Sequence, residues 1–515
     1  MKTIIKTGKL GLVALSLSAV FVLGCSDEYL IDKKLDGITD ATVYGSKETV
    51  VAVVNGVYDT FQSDQDEVII KGIFYPQNFL TQDYVNVGAD AFFATFDIPT
   101  VFSPFNKLWI QNYKGIGRAN TFLANIDPAI KSGKIDADLG NRLKGECLVL
   151  RGMLYSMLAT NFGGIPIVLL PPGGDINAFA PRNTQDEVFQ QVALDMEEAV
   201  KVLPWDYDAA NKGRVTKGTA YAYMGNAYMW LKKYDKAVEA YKAMEGHYQL
   251  EPNFLDIFAY KNKNGKESIF EIQMYDQSGD LSWGRNDNVS NIQSFNMPNE
   301  INGGGYAAAS KNYYDSFEPG DLRKSASVIG PGDEHPDPLI KISEYPKVKA
   351  KYGGINTCGT LAQPWKGADG LPGRQGYYDL KTWRNPNTNG WGGPNIFSGA
   401  NIILLRYAEV RLSLAEAYHK SGNDAKALEI ILEIRRRAGL TNIPTGKMID
   451  IIMSEYRHEL SGEFSLWGLL RRTGEHIRYV KEKYNVTIPP GKDLMPIPQV
   501  QRDLNPNLDQ NEAYK

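Results

Sequence analysis

Residues 221–241 read YAYMGNAYMWLKKYDKAVEAY. Tyr221, Met224, Gly225, Tyr228, Ala237 and Tyr241 fall at spacings that place small and aromatic residues on the facing sides of two short helices. A small residue lets one helix of a pair approach the next, and the aromatic ring fills the groove. The same device recurs in residues 414–431, LAEAYHKSGNDAKALEII, where Tyr418 and Ala427 keep the separation of Tyr228 and Ala237. Small Ala417 and Ala227 precede the two tyrosines. Units so far apart do not make a continuous solenoid; they imply helix pairs separated by a long insertion.

The spacing is that of a tetratricopeptide unit. Two further segments carry the period of one buried face, 142–162 with Leu148, Leu154 and Leu158, and 184–203 with Val188, Val192 and Met196. The first stops at Gly163-Gly164 and the second at Pro204. Between about 251 and 400 the texture changes to Gly, Asn, Pro and aromatic residues; there ESIFEIQMY (267–275) alternates as a strand does and most of the rest reads as loop. The expected fold is mainly α, with tetratricopeptide-like helix pairs over about 40–250 and 400–515 and a loop-rich, irregular region over about 251–400. A loop region of that length in a compact domain is usually where function lies.

The N-terminus has the layout of a secretory signal: Lys2, Lys6 and Lys9, then an uncharged run from Leu10 to Leu23 that is shorter than the about 20 residues a spanning helix needs. Gly24-Cys25 resembles a bacterial lipoprotein box, which makes residues 1–24 the signal peptide, Cys25 the acylated residue and 25–515 the mature domain. The acidic Ser26-Asp27-Glu28 resembles the surface-export signal of Bacteroidetes lipoproteins. The remainder, with 43% hydrophobic and 23% charged residues in the whole chain and a mean hydropathy of −0.33, reads as a globular body on a tether. A net charge of −4 gives no electrostatic case for nucleic acid. Once Cys25 is acylated, Cys147 and Cys358 remain, one in a helical pattern and one in a Gly-rich loop, which indicates no disulfide framework.

A series of stretches then carries a family resemblance: 148–169 (LVLRGMLYSMLATNFGGIPIVL), 184–204, 213–241, 267–275, 405–423, EIRRRAGL at 433–440 and LMPIPQVQRDLNPNLDQN at 494–511. In that order they resemble the SusD/RagB family of nutrient-binding lipoproteins. Tyr456 stands where the family usually has a basic residue. The resemblance implies a surface lipoprotein of the outer membrane that lids a SusC-like TonB-dependent porin and passes it a captured nutrient, most often an oligosaccharide. It implies no enzyme. RagB-like members point to a peptide as the alternative cargo.

The residues themselves offer little for catalysis. His247, His335, His419, His458 and His476 have no metal-ligand spacing. GIGRAN (115–120) lacks the third glycine of a phosphate loop, and no Gly-x-Ser-x-Gly occurs. Glu455, Glu459 and Glu463 at four-residue steps, near Arg457, Arg471 and Arg472, read as a salt-bridged helix face; a glycosidase pair would be recognised only by its separation in space. No cofactor is called for, and a structural calcium ion in a loop is left open.

A sugar needs flat rings against its C–H faces and amides, carboxylates or guanidinium groups around its hydroxyls. The loop region supplies Trp283 with Arg285, Asn286 and Asp287, then Trp365, then Trp383 with Arg384 and Asn385, and Trp391, so that four of the eight tryptophans lie between residues 281 and 391. Trp283 is the leading candidate because it follows the strand-like 267–275 after a short turn. A second stretch, 74–96, carries Tyr75, Asn78, Asp83, Tyr84 and Asn86 at a position which the resemblance associates with the binding face.

Overall fold

The computed structural model describes residues 44–62, 64, 66–85, 90–173, 179–275, 289–366, 376–388 and 397–515. After α1 (Lys47–Tyr58) and a π-helical segment, Asp66–Phe74, come the long helices α2 (Ser103–Lys131), α3 (Ala137–Phe162) and α4 (Gln185–Val202). Asp136 caps α3, and Thr184 with Glu187 forms a capping box on α4. Gly163, at φ +76°, ends α3 where a side chain would strain the turn. The sequence pattern gives α3 one buried face; packed between α2 and α4, it is buried nearly all round. A Cβ at Gly152 would lie 2.2 Å from Met196 Cε, the flexible end of an α4 side chain that fills the space over this glycine. Arg151 of α3 bridges the layer, donating to both oxygens of Asp195 at 2.8 and 2.6 Å and to Asn120 Oδ1 at 2.8 Å.

The first tetratricopeptide-like unit is α5 (Lys217–Trp230) with α6 (Tyr234–Lys242), and the second is α7 (Tyr407–Lys420) with α8 (Asp424–Arg437). Gly225 accepts the Tyr241 ring, whose Cε1 would be 2.4 Å from a Cβ there. α6 packs directly against α7, so the units implied to be separated by a long insertion nest side by side while the insertion loops out. Helices α9 (Met448–Leu460), α10 (Leu466–Thr473) and α11 (His476–Tyr484) complete the body. Between α3, α5, α7 and α10 lies a cavity of about 90 Å³, edged by Thr160, Asn226, Glu409, Ser413 and Gly468. Tyr456, at the position where a basic residue was expected, is buried and donates to Glu416 Oε2 at 2.8 Å; Glu416 also pairs with Arg472.

The region between the two units is more ordered than its composition suggests. Strands β2 (Ser268–Ile272) and β6 (Ile402–Arg406) pair antiparallel, and β6 runs straight into α7. β2 is buried from Ile269 onward, so its alternation does not mark a solvated face. The two-residue strands β1 (Tyr84–Val85), β3 (Ala308–Ala309), β4 (Val328–Ile329) and β5 (Tyr378–Asp379) form a small sheet in the order β1-β3-β5-β4. This region has its own core, in which Trp365 and Trp383 join Ile329, Ile342, Val348, Cys358 and Tyr378. Cys147 and Cys358 are both free and buried.

A buried charge network fastens the region to the helices. Arg406 reaches Glu267, Glu459 and Glu463, each at 2.7 Å; Lys381 reaches Glu463 at 2.6 Å; and Arg323 reaches Asp321 and Glu455, each at 2.7 Å. Glu455 is shared with Arg435 at 2.8 Å, and Glu459 also pairs with Arg437. Glu455, Glu459 and Glu463 are therefore ion-paired, as their spacing suggests. Their partners, however, come from distant segments, and the face is buried instead of solvated.

Candidate functional site

Trp283, Arg285, Asn286, Asp287 and Trp391, with Asn86 and Cys25, lie outside the described residues. The other candidates are placed, and each corrects the expectation of an exposed ligand platform. Trp383 is 0% exposed, donates Nε1–H to Tyr345 OH at 3.1 Å and meets His335 edge-on at 4.9 Å. Trp365 is 3% exposed and packs near Tyr352 and Tyr378. The reason is architectural: strands of two residues bury little, so a core in this region has to be built from large rings. Arg384 and Asn385 are buried with them.

The 74–96 stretch is likewise interior. Asp83 accepts hydrogen bonds from Arg457 Nε at 2.9 Å, Ser461 Oγ at 2.6 Å and the hydroxyls of Tyr479 and Tyr484. Asn78 donates to Phe74 O and Glu463 O and accepts from Gly462 N. Tyr84 donates to Asp379 at 3.2 Å. These polar groups join the N-terminal third to α9 and β5. Tyr75 packs on Phe79 at 4.5 Å, but its buried hydroxyl has no partner. Burial, then Asp90, Tyr306 and Asp66, push that hydroxyl well above the usual phenol range, so it stays a neutral donor.

Those neighbours mark a face. β1 pairs with β3, Val85 opposite Ala308, and both Asp90 and Tyr306 lie near Tyr75. Gln62 donates to Gln273 O at 2.6 Å, and Asn291 donates to Asp66, the first residue of the π-helical segment. Ser290 and Ser398 exchange backbone hydrogen bonds at 2.8 and 2.7 Å. Tyr306 is half-buried against Phe295 at 5.3 Å, and Tyr275 is 56% exposed.

The charge of this face is acidic. Asp66 is held above the usual carboxylate range by burial, against the Asn291 amide, with Asp64 and Glu67 adding repulsion. Lys71, paired with Glu67 at 2.8 Å, and Lys107, paired with Asp64 at 3.0 Å, are counter-charges; burial lowers the affinity of Lys71 for the proton, but Glu67, Asp90 and Asp66 together raise it. Partly exposed carboxylates and rings can bind a polyhydroxyl ligand, with the Tyr75 hydroxyl and the Asn291 amide buried beneath them. Among the described residues no group of three or more His, Cys, Asp or Glu side chains could hold a metal ion. A separate cleft of about 690 Å³ is bordered by Trp205, Tyr207, His247 and Tyr248, but its rings are engaged, with Trp205 stacked on His247 at 3.6 Å and on Tyr221 at 5.5 Å.

Residues 266–514 match the SusD family, and residues 29–229 match a SusD-like family described as starch-binding and associating with the outer membrane. This chain belongs to the SusD/RagB family. A SusD-like protein of Bacteroides ovatus is 23% identical over 491 residues, 88% of this chain and 81% of that one. A crystal structure of a SusD-like protein from Bacteroides fragilis, 22% identical, covers 93% of this chain and 99% of its own with a TM-score of 0.74. Surface glycan-binding protein A from Bacteroides thetaiotaomicron, solved in complex with laminarihexaose, is 20% identical and covers 90% and 99% with a TM-score of 0.71. At these identities the structural likeness shows the fold, the SusD fold of tetratricopeptide-like helix pairs.

Sequence reasoning missed Asp66, Asn291, Tyr275 and Tyr306. Asp66 and Asn291 are far apart in the chain and sit in unremarkable local contexts, so only the folded contacts bring them together. Tyr275 was legible as the last residue of the strand-like stretch.

Proposed function

We propose that this SusD/RagB protein is a lipid-anchored protein of the outer-membrane surface that captures a neutral oligosaccharide and delivers it to a SusC-like TonB-dependent porin. The observation that carries the reading is the cluster of Asp66, Asp90 and Tyr306 around the Tyr75 side chain, with Asn291 held on Asp66. The family description and the laminarihexaose complex of a protein with this fold support a glycan as cargo. The acidic balance of the face favours an uncharged glycan, since a sulfate or uronate would meet Asp64, Asp66, Glu67 and Asp90 with Lys71 and Lys107 to offset them. The lipoprotein-box cysteine, Cys25, supports the anchor, and no helix among the described residues is long and apolar enough to cross a membrane. Binding without turnover is supported by the engagement of Glu455, Glu459 and Glu463 in buried ion pairs.

The test is an array of neutral, sulfated and uronate-containing oligosaccharides, with peptides as a parallel arm, followed by calorimetry on Tyr306→Ala and Asp66→Asn. Neutral glycans should bind, and each variant should bind more weakly while melting as the parent does. Binding confined to peptides or anionic glycans, release of reducing ends, or unchanged affinity in both variants would refute the proposal.

A further inference from the structure

Beneath the Ser290–Ser398 bridge lies a cavity of about 60 Å³, bordered by Gln293, Lys381, Arg384, Glu271 and Asn401. One water needs roughly 10–15 Å³ of such space, so the cavity has room for a few waters or one small ion. Arg384 is 2% exposed. Its Nη2 donates to the Ala326 carbonyl, while Nε and Nη1 are buried and have no acceptor among the described residues. Among the described residues no carboxylate forms a hydrogen bond or ion pair with it: Asp379 is taken by Tyr84 OH and Thr382 N, and Asp337 accepts from Leu339 N. The Phe258 ring, 5.7 Å away, is the remaining favourable neighbour.

The other charges around the cavity are accounted for. Lys381 is neutralised by Glu463, and Glu271 accepts from Asn264 N at 3.0 Å and Asn401 Nδ2 at 2.8 Å. Lys263 donates to Met274 O at 2.7 Å. A buried cation with two unmet donors strongly destabilises a fold unless something accepts from it. Burial draws the Arg384 pKa down to about 10 despite Asp379 and Asp337, which still leaves the group charged at neutral pH.

We propose that this cavity binds one small monovalent anion, of chloride or formate size, on Nε and Nη1 of Arg384. The volume excludes a sugar, and a cation with two unmet donors and no ion-pair partner among the described residues calls for a single negative charge. Because Ser290 and Ser398 border the same space, an occupant braces the backbone bridge at the edge of the acidic face without belonging to the glycan site. The inference does not depend on what that face binds.

Melting curves of the full-length mature chain in sodium chloride, sodium formate and sodium gluconate at equal ionic strength test it. Chloride and formate should raise Tm by about 1–2 °C over gluconate, which is too large to enter, with saturation as the salt is increased. Arg384→Met should lose that difference and Arg384→Lys should keep part of it. A crystal of the wild-type chain soaked in bromide provides a readout that does not require any variant to fold: an anomalous peak beside Arg384 is expected. Equal Tm in all three salts, an unchanged anion response in Arg384→Met, or a cavity without bromide would overturn the proposal.

Discussion

Glu409 offers a direct measure of how dry the helical body is. It sits in the first turn of α7 at the edge of the 90 Å³ cavity, 8% exposed, and burial lifts its pKa from 4.5 to about 7. Arg472 of α10 and Arg406 of β6 pull the value back, while Glu463 adds to the rise. The unfolded chain ionises this carboxyl near 4.5, so between there and pH 7 the native state holds the extra proton. The stabilising contribution is complete below 4.5 and is lost as pH rises through 7. A displacement of that size corresponds to about 3 kcal/mol above pH 7, from 1.4 kcal/mol per unit. Glu409→Gln replaces the carboxyl with a group that never ionises. Urea unfolding of wild type and variant from pH 4 to 8 isolates the residue, because every other titration cancels in the difference. The two should agree at pH 4, and the variant should gain steadily, reaching up to about 3 kcal/mol at pH 8. Parallel curves across the whole range would refute the reasoning and mean that the cavity solvates the charge.

Trp383→Ala should cost about 3–5 kcal/mol in chemical denaturation, as for any large ring removed from a core, and leave glycan affinity per folded molecule unchanged. Arg457→Met strands Asp83 without its cation and should destabilise by about 3–5 kcal/mol, measured the same way. Trp283→Ala, at a position outside the described residues, should weaken glycan binding in calorimetry with little change in melting temperature; the reverse result would assign the ring to packing. Cys25→Ala should abolish incorporation of radioactive fatty acid, and persistent labelling would remove the lipid anchor from the proposal.

The helical body was legible because its signals are local. Thr184 and Glu187 cap α4 three residues apart, Gly163 and Pro204 stop two helices, and Gly225 and Tyr241 meet within one unit. The nesting of α6 on α7 was not, since nothing near either helix in sequence tells which distant surface it covers. The same limit governs the site. Trp365 and Trp383 stand among glycines and asparagines, the texture of an exposed loop, yet they are core because neighbouring strands are too short to supply one. Glu455, Glu459 and Glu463 look like a solvated face because Arg323 and Arg406 lie elsewhere in the chain. Asp66 and Asn291 became a pair only through folding.

The seam between α6 and α7 also constrains how the molecule is made. The chain between Lys242 and Tyr407 must emerge before the second unit can close against the first. Loop-closure entropy itself grows slowly, by about 0.6 kcal/mol for each doubling of length. Order of synthesis is the harder constraint: α5 covers Tyr241 from one side, but the side of α6 that meets α7 is finished early and stays open until α7 arrives. The chain would spend that interval with an open seam, so folding of this protein should depend on chaperones that shield α6 until the second unit has emerged.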